Sequence, residues 1–333
     1  MSKPIASVSL DLDNQWSYMK IHGDAGWDSY PTYLDAFVPH VLKVLDDLGL
    51  RITFFIVGKD ASIDENKPYL QEITRRGHEV GNHSYYHESW LHTYTREELY
   101  EEVSRAEEQI AAVTGQRPRG FRGPGFSWSS VLLEVLKEKG YQYDASTLPT
   151  YIGPIARMYY FRTAKLSKEE RETRKELFGN FRDGLRPVKP YFWKLERGAS
   201  LLEIPVTTIP VIKTPFHFSY LLYLSGISIA LMDAYLNLAI WMCRLTGTQP
   251  SYLLHPLDLI GGDQVPQLKF FPGMDISSER KVEVFSRVMM KMKKHFTLAC
   301  MSEHAEHVRS KGAKMKAIEP GRTSDILDRA TTH

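Results

Sequence analysis

Apolar positions in the first 145 residues follow two alternating patterns, short continuous runs and helical spacings. Residues 5–12 (IASVSLDL) and 51–57 (RITFFIV) are runs rich in β-branched and aromatic side chains, which predicts buried strands. Between them, apolar residues recur at helical spacing over residues 34–48, and Gly49 marks the end of that helix. Short strands that alternate with helices indicate parallel β–α units.

This regular alternation breaks after Tyr151, and the buried-strand pattern resumes at residues 202–206 and 251–254. The predicted strands are residues 5–12, 51–57, 78–82, 119–122, 142–145, 202–206, 251–254 and 297–301. The predicted helices are residues 34–48, 69–76, 95–114 and 129–139, and residues 190–206 predict a hairpin that turns at Gly198. We therefore expect one α/β domain over residues 1–333 with two insertions, residues 151–190 and 213–247.

Composition narrows the class of protein. The chain has 333 residues and is nearly neutral, with 42 Lys and Arg against 40 Asp and Glu, a formal net charge of +2. This balance argues against a charge-driven nucleic-acid binder. Two cysteines, Cys243 and Cys300, are too few for a disulfide framework, and the sequence begins without an apolar signal segment. These features favour a reducing compartment, and we expect a cytoplasmic protein.

Two pairs of polar residues follow predicted strands. Asp11 and Asp13 are two residues apart at the end of the first strand, so both carboxylates face the same side. His83 and His87 have the spacing that places two imidazoles on one face of a helical turn, which suits metal capture. Taken singly, the pairs also fit a solvated strand end and two surface histidines.

Three further candidates lie at strand ends. Arg122 begins an Arg-Gly-Pro-Gly loop, whose glycines allow close approach to a ligand. His255 follows two leucines in the sequence LLHP, at the edge of the sheet where α/β active sites lie. Asp144 ends the strand at 142–145 and is a candidate to orient His255. Each residue also fits an ordinary loop or cap.

In this order, the motifs resemble those of the polysaccharide deacetylases of the NodB-homology type, a carbohydrate esterase family. Residues 5–145 and 200–310 carry the resemblance. The stretch GHEVGNHSYYH contains the family's His-[Ser/Thr]-x-x-His motif, LLH matches its last motif, and Arg-Gly-Pro-Gly is a looser match to its Arg-Pro-Pro-type loop. The resemblance implies an α/β fold, a distorted (β/α)7 barrel with two largely helical insertions.

The resemblance also implies a metal centre. Asp13, His83 and His87 would hold one divalent ion, and Ser84 would fix a histidine within the same loop. Zinc is the expected metal, while nickel, cobalt, manganese and iron remain open because imidazole suits all of them. The implied reaction is hydrolysis of an N-acyl group, acetyl or formyl, on an amino sugar.

The remaining motifs would supply the proton transfers. By the resemblance, Asp11 is the general base and Arg122 holds it ionised and oriented. His255, kept cationic by Asp144, would protonate the departing nitrogen.

The first motif departs from the usual family pattern of adjacent aspartates, because Leu12 separates Asp11 from Asp13. The same spacing occurs in the branch that deformylates undecaprenyl-phosphate-linked aminoarabinose. A shifted register would make Asp13 the base and leave Asn14 as a neutral ligand. A carboxylate suits a dication better, which favours Asp13 as the ligand.

One apolar run, residues 221–245, is long enough to cross a bilayer. Asp233, Asn237 and Arg244 form one polar stripe on it, which favours an amphipathic helix pair, residues 218–224 and 228–245, broken at residues 225–226. A membrane span, a structural or oligomer contact, and an interfacial helix that docks on a membrane remain alternatives.

The other insertion is basic. Residues 162–189 contain nine Lys and Arg against five acidic residues, a surplus that suits anionic headgroups or a pyrophosphate, or simply a solvated helix. Together with the Asp-x-Asp spacing, it favours a lipid-linked cell-envelope glycan as substrate, at the inner face of the membrane. The alternatives are hydrolysis of a small cyclic amide or free oligosaccharide, and an inactive glycan-binding relative. The oligomeric state is left open.

Overall fold

The computed structural model describes residues 3–152, 181–311 and 315–320. Most of the basic insertion, residues 153–180, lies outside the described residues, so the prediction made for it stays a prediction. The strands are β1 Ile5–Leu12, β2 Thr53–Ile56, β3 Glu79–Asn82, β4 Gly120–Phe121, β5 Tyr143–Asp144, β6 Tyr191–Lys194, β7 Ser200–Glu203, β8 Ser251–Leu254, β9 Thr297–Ala299 and β10 Ala317–Ile318. The α-helices are α1 Gln15–His22, α2 Leu34–Asp47, α3 Gly58–Ala61, α4 Lys67–Arg75, α5 Arg96–Thr114, α6 Ser130–Glu138, α7 Phe218–Ile227, α8 Ile229–Thr246, α9 Ser278–His295 and α10 Met301–Ser310.

Seven parallel strands close into a barrel. Hydrogen bonding connects β8, β1, β2, β3, β4, β5 and β7 in that order. The ring closes beyond β7, where the backbone N–H of Thr207 donates to the Ser251 carbonyl at 3.0 Å. Outside the ring, β6 pairs antiparallel with β7 and β10 pairs with β6. The predicted distorted (β/α)7 barrel is confirmed, and so is the hairpin over residues 190–206.

The central strands of the barrel are almost wholly buried. All of β2 and β8 is buried, as is β1 after its first residue, which agrees with the continuous apolar runs. Helices cover the outside; α5 begins with a capping box in which Thr95 and Glu98 bond reciprocally. The loops that follow the strands therefore meet at the carboxyl end of the barrel.

The second insertion is a helix pair whose break differs from the prediction. Helix α7 continues through Gly226, and the chain leaves helical geometry only at Ser228, whose side chain accepts a hydrogen bond from Leu231 N–H. A serine cap stops a helix more firmly than an internal glycine, which explains the shift. Among the described residues, neither helix nor any other is long and apolar enough to cross a membrane.

Two members of the polar stripe on α8, Asp233 and Asn237, contact the neighbouring helix α9. Asp233 pairs with Arg287 at 2.5 Å and with Lys291 at 3.0 Å, both on α9. Lys291 also donates to the Asn237 side chain at 3.4 Å. The usual orientation of an amphipathic helix is therefore reversed on α8: these polar groups face the neighbouring helix, and part of the apolar surface faces outward.

Candidate active site

The candidate residues gather at the carboxyl end of the barrel. Asp11 lies within β1 and Asp13 follows it, while His83, Arg122 and His255 follow β3, β4 and β8. Parallel strands deliver these residues to the same end, so positions far apart in sequence converge. Of these, only His255 is more than slightly exposed.

Asp13, His83 and His87 form a compact group. The Asp13 carboxylate oxygen Oδ1 lies 2.9 Å from His87 Nε2 and 3.5 Å from His83 Nε2. One possible ligand atom from each residue lies within 4.8 Å of the other two. One carboxylate and two imidazoles that leave further positions open are a donor set typical of catalytic zinc.

Hydrogen bonds within the barrel fix the two histidines. His83 Nδ1 lies 2.6 Å from the Arg122 carbonyl, and this bond leaves Nε2 as the free ligand atom. His87 has a positive φ of 55°, and its N–H donates to the Ser84 hydroxyl at 3.1 Å. Ser84 in turn donates its own N–H to the Asn82 side chain at 2.9 Å. The loop is therefore held in shape before any ligand binds.

The chemistry of this group fits a cation. Asp13 Oδ1 and His87 Nδ1 are buried without a hydrogen-bond partner. Burial opposes ionisation of Asp13, but His87 and His83 hold the pKa of its carboxyl well below the usual range. Imidazole lone pairs directed at an ionised carboxylate repel it unless a positive charge lies between them.

The structure favours the first register of the aspartate motif. Both polar atoms of the Asn14 side chain form hydrogen bonds within the protein. Oδ1 accepts from Gln15 N–H at 2.8 Å, and Nδ2 donates to Asp60 at 2.8 Å and to Thr32 at 2.9 Å. An amide engaged on both atoms has little capacity left to bind a metal. Asp13, by contrast, has a free buried oxygen.

Asp11 and Arg122 form a buried ion pair. Arg122 Nη1 donates to Asp11 Oδ1 at 2.6 Å; the Arg122 side chain is 0% exposed and the Asp11 side chain 6%. Arg122 also donates from Nη1 to the Ser9 hydroxyl at 2.9 Å and from Nε to the Ala145 carbonyl at 3.1 Å. The guanidinium lies over the Phe55 ring, 4.3 Å from its centroid. These contacts hold the guanidinium, and with it the Asp11 carboxylate, in one orientation.

His255 pairs with Asp258, which corrects the expected pairing with Asp144. The His255 backbone N–H donates to Asp258 Oδ2 at 2.8 Å, and the ring Nδ1 lies 3.8 Å from the same oxygen. On its other side, His255 faces the ring of His217, at 6.4 Å between centroids. Burial, and then His255 itself, lower the pKa of His217 to about 3, so His217 is neutral.

Asp144 belongs to a different buried group. Its carboxyl accepts from the Ser146 hydroxyl at 2.5 Å and lies beside the carboxyl of Glu203. Glu203 accepts from the Thr147 hydroxyl at 2.5 Å and from Trp193 Nε1 at 3.1 Å. Burial and the Asp144 charge raise the pKa of Glu203, so the pair holds a proton. Asp144 therefore contributes to the barrel wall and makes no hydrogen bond or ion pair with His255.

Two buried acidic residues near the site, Glu203 and Asp258, were not predicted from the sequence. Asp258 had a local signal, because an acidic residue three positions after His255 matches the pattern of a helix cap. Glu203 also had one, since it is the single charge within the apolar stretch LLEIPV. Glycine is needed at position 123 for packing within the loop, because a Cβ there would lie 1.9 Å from the Ser127 carbonyl oxygen.

Comparison with known proteins bears on the family. Residues 23–143 match the sequence model of the polysaccharide deacetylases. The resemblance to that family is confirmed. The matched deacetylase region contains His83, His87 and Arg122, whereas Asp13 and His255 lie outside it.

Curated relatives match over the same part of the chain. A peptidoglycan deacetylase of Helicobacter pylori is 30% identical over 125 residues, which are 38% of this chain and 40% of that protein. The peptidoglycan-N-acetylmuramic acid deacetylase of Bacillus subtilis is 29% identical over 111 residues, 33% of this chain and 41% of that one. The chain thus spans less than half the length of these deacetylase relatives.

A solved structure matches the fold over nearly the whole chain. It is a provisionally assigned polysaccharide deacetylase from Mycobacterium smegmatis, with a TM-score of 0.58 and 19% sequence identity. The alignment covers 96% of this chain and 94% of that one, so the two chains share a fold.

Proposed function

We propose that this chain is a metal-dependent hydrolase that removes an N-acyl group from an amino sugar. The observation that carries the proposal is the buried group of Asp13, His83 and His87 beside the Asp11–Arg122 ion pair. The match to the polysaccharide deacetylase family supports the same reaction class.

A divalent ion held by Asp13, His83 and His87 would supply Lewis-acid chemistry, lowering the pKa of a water molecule and polarising the acyl oxygen. Asp11 then removes a proton from the attacking water. Arg122 keeps Asp11 ionised during this step, because the buried guanidinium favours the charged carboxylate. We propose zinc because the donor set contains two imidazoles and one carboxylate.

His255 provides the proton that the departing nitrogen needs. Its side chain is 30% exposed, so it can reach a substrate, while Asp258 is buried behind it. Asp258 accepts a hydrogen bond from the His255 backbone N–H, which restrains the loop, and its Oδ2 lies 3.8 Å from the ring Nδ1. In this proposal the base and the acid are separate groups.

For the substrate, we propose a cell-envelope glycan or its lipid-linked precursor, met at the inner face of the membrane. The Asp-x-Asp spacing supports the lipid-linked form, and the similarity to peptidoglycan deacetylases supports a glycan. Two buried, unpaired cysteines suit a reducing compartment.

The test is release of acetate or formate from N-acylated amino-sugar oligomers. The protein is first stripped with a chelator and then given zinc, nickel, cobalt, manganese or iron(II). We expect no activity after stripping and recovery with at least one metal. Full activity in the stripped protein would refute the metal-dependent mechanism. Absence of activity with every metal and both acyl groups, alongside normal metal binding, would refute the hydrolase proposal.

A further inference from the structure

Helix α8 and the residue before its cap present an apolar surface to solvent. On α8 the exposed apolar residues recur at intervals of three and four residues, so they form one line along the helix. Together with the exposed Ile227 at the end of α7, they are here called the outer stripe. The outer stripe consists of Ile227, Leu231, Ala234, Leu238, Trp241 and Leu245. Trp241 is 57% exposed and Leu245 66%, values unusual for a tryptophan and a leucine in one patch.

The outer stripe cannot simply turn inward, because the other faces of α8 are already in use. Met232, Leu236 and Cys243 are fully buried against the barrel. Asp233 and Asn237 meet α9, with contacts to Arg287 and Lys291. Burying the outer stripe by rotation would break the ion pairs and expose the inner face, so its orientation is built into the fold.

The surroundings of the outer stripe are positively charged. Apart from the fully buried Lys281, α8 and α9 carry six Lys and Arg residues against three acidic ones: Arg244, Arg280, Arg287, Lys291, Lys293 and Lys294 against Asp233, Glu279 and Glu283. Several meet at one end, where burial and then Arg244, Lys294 and Lys3 lower the pKa of His295. An apolar line bordered by cations complements a layer with an apolar interior and anionic groups at its surface.

We propose that the outer stripe docks this protein on an anionic membrane surface, with Trp241 at the level of the headgroups. A tryptophan flanked by leucines is typical of that depth, and the cations beside it would meet lipid phosphates. A second copy of the chain is the competing occupant. The charge disfavours it, because pairing two copies here would bring two net positive surfaces together.

Docking would also place the candidate active site near the lipid. Helix α7 follows its capping residue His217, whose ring faces His255, and ends at Ile227, about 15 Å further along its axis. The outer stripe begins at that point. The link to a lipid-linked substrate rests on the proposed function, whereas the membrane contact itself does not.

Vesicle flotation tests the contact without any activity measurement, so its failure would leave the hydrolase proposal standing. The full chain is mixed with vesicles of phosphatidylcholine alone or of equal parts phosphatidylcholine and phosphatidylglycerol. We expect flotation with the anionic vesicles only, and release by high salt. Trp241→Glu and Leu245→Glu should each weaken binding about tenfold, and Trp241→Phe should retain it.

Tyr100→Glu is the matched control, because Tyr100 is an exposed aromatic residue on α5, away from α8, and 44% exposed. It should float like the wild type. Equal flotation with neutral vesicles, no flotation at all, or flotation unaffected by both α8 variants would overturn the proposal. A dimer in light scattering that Trp241→Glu dissociates, without flotation, would assign the outer stripe to contact between copies instead.

Discussion

The Asp11–Arg122 pair gives the sharpest prediction of stability and activity together. The two groups are 2.6 Å apart and almost wholly buried, so at an effective dielectric constant of about 20 their attraction is roughly 6 kcal/mol before desolvation. Arg122→Met removes the cation but leaves Asp11 buried. We expect the free energy of unfolding to fall by about 3–5 kcal/mol, the usual result of breaking such a pair.

A double-variant cycle separates folding from catalysis. Asp11→Asn combined with Arg122→Met removes both charges and should recover most of the lost stability, because no unpaired charge remains. Activity should stay at least about a hundredfold below the wild type in all three variants, since the base or its orientation is gone. Urea unfolding and acyl-release rates measure the two quantities.

The exposed Arg96, which pairs with Glu134 at 3.4 Å, is the control. Arg96→Met should cost less than about 1 kcal/mol, as surface pairs do. The reasoning fails if Arg122→Met costs no more than Arg96→Met, or if the double variant is as unstable as Arg122→Met alone.

Three other predictions follow from single contacts. Asp258→Asn should lower kcat by at least about tenfold in the acyl-release assay. Asp144→Asn should lower kcat less, because it retains the His255–Asp258 contact; a larger loss of kcat in Asp144→Asn would favour the pairing of His255 with Asp144. Asn14→Ala should cost about 1–3 kcal/mol in urea unfolding yet keep one bound metal, and loss of metal in the folded variant would favour the shifted register. Burial raises the pKa of Asp60 to about 7, so the folded state holds a proton that the unfolded state releases, and stability falls as pH rises from about 4 to 7. Asp60→Asn should flatten that decline in chelator-treated protein, by at most about 4 kcal/mol, and an unchanged slope would contradict the assignment.

Much of the barrel could be predicted from the sequence because its signals are local. Strands β1 and β8 begin and end at the predicted residues, since each is a buried run bounded by polar groups. The break between α7 and α8 could not be located, because a glycine and a serine cap compete within a few residues. Nor did the pattern show which face of α8 meets α9, because that depends on partners 54 residues away.

Some residues of the candidate site could likewise be predicted from the sequence, and others could not. His83 and His87 form a local motif, and the loop around Ser84 folds through contacts between neighbours, so the sequence indicates their chemistry directly. The partner of His255 depends on side-chain direction, which strand order alone does not determine. Asp144 and Asp258 were both available at strand or turn positions, and only the three-dimensional structure shows that Asp144 faces Glu203.

Metal stoichiometry tests the central claim most directly. Chelator-stripped protein is dialysed against zinc, and bound metal is measured in the wild type, His83→Ala, His87→Ala and the control His307→Ala, while circular dichroism checks the fold. The account predicts one zinc ion per chain in the wild type and His307→Ala, and none in the other two variants, which remain folded. One zinc ion per chain in folded His83→Ala and His87→Ala would contradict the assignment of Asp13, His83 and His87 as the metal centre.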